Sequence, residues 1–426
     1  MISPFEETSH FPLVPLGRLV TTQLGKMLQP EAASVTDLQV PYLRAGLLSD
    51  LEMLDDLPTM YASAKDRQTY EVREGDLIVA EGGDVGRSEF VPKSLDGTIL
   101  QNSLHRLRPR SGDLRFVRYS LEAVRGSGWL DVLCNRATFG HLTAEKLSAL
   151  LVPSAGPDAQ RAIADYLDAE TARIDALIEK KQRMVELMDE RDFALAHDAI
   201  TGGPLGGNRV VSPVPWLRDL PKGWRLAPVG SQFQVALGRM LNAERAASGE
   251  MRRYVRNVNV RWDTVNTNDL AVMDFPTAER RQYRLQAGDL LINEGGAGIG
   301  RAAIWQDQIG ECYFQKSVLR LRPIAHSHPA WMIECMRVAV SQRVLLVEGN
   351  LATIPHVPAE ALRVYRFPFP PRDVQSQMLA WLQAQRGRDL PLRTAIEQQI
   401  DLLTERRQAL ITAAVTGELD IPGVAA

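Results

Sequence analysis

The densest run of chemistry-bearing side chains is RRYVRNVNVRW at 252–262, where Arg252, Arg253, Arg256 and Arg261 stand beside Asn257 and Asn259. Arginine matches phosphate oxygens and the O6/N7 edge of guanine; asparagine matches the N6/N7 edge of adenine. A solvated strand edge accounts for the same run equally well. Smaller candidates come in pairs along the chain. Lys26 and Arg239 each follow a glycine, Arg87 and Arg301 each close a glycine cluster, and Asn102 and Lys316 sit in the segments QNS and QKS. Arg44 is what PYLRAGLLSD at 41–50 keeps of the arginine run. Residue types kept in both members of a pair suit phosphate, and those that differ suit bases.

Bond-making chemistry finds less support. A metal-dependent nuclease can be drawn only from Pro157-Asp158 and Glu179-Lys180-Lys181, which lie along one helix instead of converging on an ion. A solvated helix face explains them. GGDVGRS at 82–88 has Arg87 where a phosphate loop needs lysine, and its glycine spacing differs. GGAGIG at 295–300 precedes a strand-like run, 301–305, where a dinucleotide fold needs a helix. Both clusters read as tight turns after strands. His326 and His328 lack a third ligand nearby and read as a solvated loop. His141 and His356 match by position and read as shared structural contacts. No Asn-Pro-Pro occurs, as an adenine methyltransferase would carry. The expectation is no catalytic, cofactor-binding or metal-ligating residue in this chain.

The bulk properties are those of an ordinary globular protein: 426 residues, 45% hydrophobic and 24% charged, long enough for two or more domains. No apolar run of about eighteen residues predicts a membrane span. The opening MISPFEETSHFPLV lacks the pattern of a secretory signal. Cys134, Cys312 and Cys335 are too few and too scattered for a disulfide framework or zinc site, which fits a reducing cytoplasm. Net charge is −3, no bulk signature of a nucleic-acid binder. By block it runs −4 over 1–150, −5 over 151–205, +7 over 206–371 and −1 beyond, so the third block alone is basic.

The chain is written twice. VPLGRLVTTQLGKML at 14–28 returns as APVGSQFQVALGRML at 227–241, and YEVREGDLIVAEGGDVGR at 70–87 as YRLQAGDLLINEGGAGIGR at 283–301. QNSLHRLRP at 101–109 matches QKSVLRLRP at 315–323, and TFGHLTAEKL at 138–147 matches TIPHVPAEAL at 353–362. The offset drifts only from 213 to 215, which marks an internal repeat. Each half places a Gly- and Pro-rich block with short β-like runs, such as 76–80 and 289–293, before a long helical block. The helices are expected over 157–199 and 372–414, with a Gly/Pro-rich linker at 201–215 between the halves.

Both helices carry an apolar seam of period 3.5: Ile163, Leu167, Ile174, Leu177, Met184, Met188 and Leu195, then Met378, Leu382, Leu392, Ile396, Leu403 and Leu410. Such spacing predicts a coiled coil, although packing of each helix on its own block is the plainer alternative. Pro391 is expected to kink or break the second helix near Asp389. A pseudo-two-fold relation between the halves would make the helices antiparallel, a strut of roughly 65 Å with a head at each tip. Heads held so could meet one DNA groove again after whole turns of about 34–36 Å. The predicted class is α+β: two repeated, β-rich heads separated by two long antiparallel coiled-coil helices.

Pro157, Gln160, Ile163 and Leu167, followed by Ile174, Asp175, Leu177 and Ile178, resemble the central repeat of type I restriction–modification specificity subunits. RRQALITAAVTGELD at 406–420 resembles their C-terminal repeat, and LPKGW at 220–224, GDLIVAEGG and GDLLINEGG are similar to segments of their recognition domains. The resemblance covers the whole chain. It implies target-recognition domains at 1–152 and 220–368, helical repeats at 153–202 and 369–417, a linker at 203–219 and a tail at 418–426. It further implies a bipartite double-stranded DNA site and two docked modification (methyltransferase) subunits that hold S-adenosylmethionine. Restriction subunits would add an endonuclease using ATP and Mg. A helical adaptor with protein-binding heads and a fused recognition–catalysis enzyme are the rival readings.

Overall fold

The computed structural model describes residues 3–424 except 50, 52–53, 55, 135–140, 243–245, 247–248, 297, 325–326 and 345–355. It is a mixed α+β protein that divides into two compact units: residues 1–182 with 397–426, and residues 183–396.

In the first unit a four-stranded antiparallel sheet has the order Val20–Leu24, Leu104–Pro109, Leu77–Ala80, Ser88–Phe90. A second sheet has the order Thr59–Ala62, Leu38–Leu43, Ile99–Leu100, the last pair parallel. The run Leu77–Ala80 is buried at every residue because the sheet is covered on both faces. Leu77 and Val79 enter one apolar cluster, Ile78 and Ala80 another, as the two-residue period of a strand requires. Helix α1 (Leu114–Gly126) is N-capped by Asp113, whose carboxylate accepts from the Arg115 N–H. Arg115 then donates to Asp165 and Asp168 of helix α2 (Pro157–Thr201) at 2.7 and 2.8 Å.

The second unit repeats this plan strand for strand. Its four-stranded sheet runs Phe233–Leu237, Val318–Pro323, Leu290–Asn293, Ala302–Ile304, and its three-stranded sheet Ala271–Asp274, Met251–Val255, Tyr313–Phe314. Helix α3 (Pro329–Ser341) takes the place of α1, and helix α4 (Arg372–Thr416) that of α2, each long helix having 45 residues. His328 is half-buried and caps α3, its Nδ1 accepting from Ala330 N–H at 3.3 Å. This corrects the solvated loop expected there; His326 lies outside the described residues. The glycine clusters at 82–88 and 295–300 join antiparallel strands, with φ of +74° at Gly83 and +81° at Gly296, as hairpin turns do.

Each unit draws its core from both long helices. In the first, Ile163 and Leu167 of α2 and Ile411, Ala414 and Val415 of α4 pack with Phe116, Leu121 and Leu107. In the second, Ala196, Ala199 and Ile200 of α2 and Met378, Leu379 and Leu382 of α4 pack with Trp331, Met336 and Leu319. A buried Leu or Ile at such a site contributes about 1.5–3 kcal/mol. The pairing is antiparallel in each unit: Asp175 meets Arg407 and Lys181 meets Gln399, while Asp189 meets Arg393 and Asp192 meets Arg386.

Two expectations for the helices are corrected. The seam is apolar only in part. Ile163, Leu167, Ile174, Met378, Leu382 and Ile396 are buried, and Met188, Leu195, Leu403 and Leu410 are half-buried. Leu177, Met184 and Leu392, however, are 42%, 44% and 54% exposed. Away from the head cores, ion pairs and side-chain hydrogen bonds join the helices within each unit, alongside the buried Ile174 and Ile396. Nor does Pro391 break α4. Arg386, Asp389 and Arg393 on either side of it pair with Asp192, Arg191 and Asp189 of α2, and this bracing offsets the lost backbone donor.

Candidate nucleic-acid interface

The loops that carry most of the candidate residues are laced to one another inside each head, and the lacing is the same in both. In the first head, Gln101 N–H donates to Leu43 O, Asn102 N–H to Lys26 O, and Glu81 N–H to Ser103 O. Ala45 N–H donates to the Ser103 hydroxyl at 3.1 Å, and Leu142 N–H to Glu81 O. In the second, Gln315 N–H donates to Val255 O, Lys316 N–H to Arg239 O, and Glu294 N–H to Ser317 O. Asn257 N–H donates to the Ser317 hydroxyl at 3.1 Å, and Val357 N–H to Glu294 O. A Cβ on Gly25 or Gly238 would stand 2.3 Å from the carbonyl oxygen of Gln101 or Gln315. Those matched glycines therefore permit the close approach of two loops.

The structure separates the candidate side chains into two groups. Arg44, Arg253, Arg261, Arg301 and Lys316 are exposed. Arg87, half-buried, lies 3.6 Å from Asp84 and 3.8 Å from Glu89; Arg252 lies 3.5 Å from Glu311; Arg256 holds Asp269 at 2.9 Å. Asn102 and Asn257 are half-buried at the loop edge.

Three candidates are withdrawn from the surface. Lys26, its side chain 14% exposed, pairs with Asp66 at 3.0 Å, and Asp66 is itself held by the Ser63 capping box of the helix Ala64–Tyr70. Its repeat mate Arg239, 4% exposed, pairs with Glu279 and lies over the rings of Phe275 and Tyr283. Neither reaches a phosphate from there. Asn259 is 2% exposed; its amide donates to Asn266 O and Asp269 O, and its Oδ1 accepts from Arg256 N–H. It shapes the loop instead of reading a base.

Other residues of the site were not singled out from sequence: the serines and glutamines of QNS and QKS, and the acids Asp66 and Glu279. Each acid lies forty positions after the cation it holds, a spacing repeated in both halves. Bidentate Arg108–Asp76 and Arg322–Asp289 pairs, with nitrogen–oxygen distances of 2.6–2.7 Å, fasten equivalent strands below the loops.

The molecule is thus a duplicated head-and-helix protein presenting a basic and amide-bearing loop cluster on each head. Residues 20–187 match the family model of the type I restriction modification DNA specificity domain. That match spans less than half of the chain and lies in its first head and first long helix. No curated protein matches it by sequence. Among solved structures, a chain from work on complex assembly and conformational transition of the type I R-M system is similar, with a TM-score of 0.63 and 16% identity over 96% of this chain and 98% of that one. The HsdS subunit from Thermoanaerobacter tengcongensis has a TM-score of 0.42 and 16% identity, covering 97% of this chain and 100% of that one. The S subunit from M. genitalium has a TM-score of 0.37 and 14% identity, covering 97% and 99%. Among the described residues, no helix is long and apolar enough to cross a membrane.

Proposed function

We propose that the chain reads a bipartite, asymmetric double-stranded DNA site, one half-site per head, and performs no catalysis itself. The paired helices set the gap between the half-sites and dock two methyltransferase subunits, which hold S-adenosylmethionine. Restriction subunits, bringing ATP and Mg, complete the nuclease. The assembly works in the cytoplasm. The observation that carries this reading is the pair of identically laced loop clusters with different exposed side chains, since one scaffold with two sets of tips suits two different base sequences. Selection of the full-length chain on randomised duplexes tests it. Two short conserved half-sites at constant separation are expected. A pool without sequence preference would overturn the reading and favour a helical adaptor with protein-binding heads.

A further inference from the structure

A cleft of about 450 Å³ opens in the first head between Leu24, Glu81, Gly82, Asn102, Ser103 and His141. Its polar lining is unlike a phosphate cradle. Glu81 contributes a carboxylate, and a phosphodiester placed beside it would be repelled. Base edges, which carry amino donors as well as acceptors, meet no such penalty.

One amide in this cleft is oriented by a chain of hydrogen bonds whose direction is set by a backbone donor. Ala45 N–H donates to the Ser103 oxygen at 3.1 Å, so that hydroxyl spends its proton elsewhere, on Gln101 Oε1. With its oxygen accepting, Gln101 turns its Nε2 toward Asn102 Oδ1 at 3.1 Å. Asn102 is therefore fixed with Oδ1 inward, keeping one lone pair, and with Nδ2 left to donate. An amide held this way offers one acceptor and one donor side by side, the complement of the adenine N6/N7 edge.

The second head preserves the relay and changes its end. Asn257 N–H donates to Ser317, and Ser317 donates to Gln315 Oε1 at 2.5 Å. The residue in the place of Asn102 is Lys316, exposed, with no acceptor to be oriented. Lysine complements the O6/N7 acceptors of guanine.

We propose that Asn102 and Lys316 are equivalent base-reading residues, Asn102 selecting adenine in the first half-site and Lys316 selecting guanine in the second. Ser103 acts through Gln101 as a positioning residue for Asn102. This rests on the DNA-reading function and names the residues that divide the two specificities.

The test is selection of the full-length chain on randomised duplexes, repeated with Asn102→Lys, Asn102→Ala, Ser103→Ala and Ser103→Thr. Asn102→Lys is expected to convert one A·T pair of one half-site to G·C and leave every other position unchanged. Asn102→Ala is expected to lose discrimination there by roughly 5- to 150-fold, the range for one bidentate contact. Ser103→Ala is expected to weaken preference at that same pair alone, and Ser103→Thr to restore it. A folded Asn102→Lys or Asn102→Ala chain that selects the unaltered motif overturns the proposal while leaving the DNA-reading function standing. An unmodified chain that selects no motif overturns both.

Discussion

Asp192 of α2 and Arg407 of α4 occupy the same position of the repeat, 215 residues apart, with opposite charges. Arg407 joins Glu122 of α1 to Asp175, whereas Asp192 is held by Arg386, which also grips Glu334 of α3. Glu122 and Arg337 are reversed across the same offset. Each head is thus fastened to the helices by its own charge pattern, on a backbone plan the two heads share. Arg386→Ala leaves Glu334, 5% exposed at its side chain, with Arg337 as its remaining partner. A loss of about 3 kcal/mol is expected, the low end for a truncated buried pair. Urea unfolding of the full chain measures it, and Arg407→Ala, whose partners are more exposed, should lose less.

Gly25→Ala and Gly238→Ala should each destabilise by about 1–3 kcal/mol, because the new methyl meets backbone that cannot rotate away. Thermal melting reads the loss. The duplex selection should blur in one half-site only, according to which glycine is changed.

His105 is fully buried, and burial holds its pKa below the usual 6.5, so the folded chain keeps a neutral ring hydrogen-bonded to Leu142 O at 2.7 Å. His328 is shifted the same way by burial. Below pH 6.5 the unfolded chain takes up protons that the folded chain refuses, so stability falls with pH from that point toward the folded-state values. His105→Leu, which installs the residue type found at the equivalent Leu319, should flatten part of this acid slope. Denaturation midpoints compared between about pH 5 and pH 8 check it.

Asn259→Ala and Arg301→Ala should fail in different ways. Asn259, itself buried, holds two loop carbonyls, so its loss should cost about 1–3 kcal/mol of stability. Arg301 is exposed at the 295–301 turn, so its loss should leave melting unchanged and reduce the salt dependence of DNA binding by about one unit of slope. Equal salt slopes for Arg301→Ala and the unmodified chain would remove Arg301 from the phosphate contacts.

Much of the architecture was legible because a repeat doubles every signal. The strands at 77–80 and 290–293, the glycine turns and both long helices lie where periodicity and spacing put them. What the sequence hid was partnership at a distance. Nothing local marks Lys26 or Arg239 as withdrawn from solvent; the acids that neutralise them arrive on short helices forty residues further along. Asn259 reads as a free amide until the folded loop presents two carbonyls to it. Pro391 breaks a helix in isolation, but three cross-helix ion pairs outweigh the local rule. The exposed middle of the seam has a similar origin. Heptad spacing records what a helix permits: Leu177, Met184 and Leu392 keep that spacing and stay exposed, whereas Ile174 and Ile396 are buried.

The interleaved make-up of the first unit orders events during synthesis. Residues 183–396 form their own unit without interruption, whereas the floor beneath the first head waits for Ile411, Ala414, Val415 and Ile421. At about 5–20 residues per second, the ribosome needs about 10–40 s to traverse the intervening stretch. The head that emerges first is the one completed last. Until then its apolar underside stays open to chaperones, and a chain cut short before α4 ends would carry a finished second head and an unfinished first.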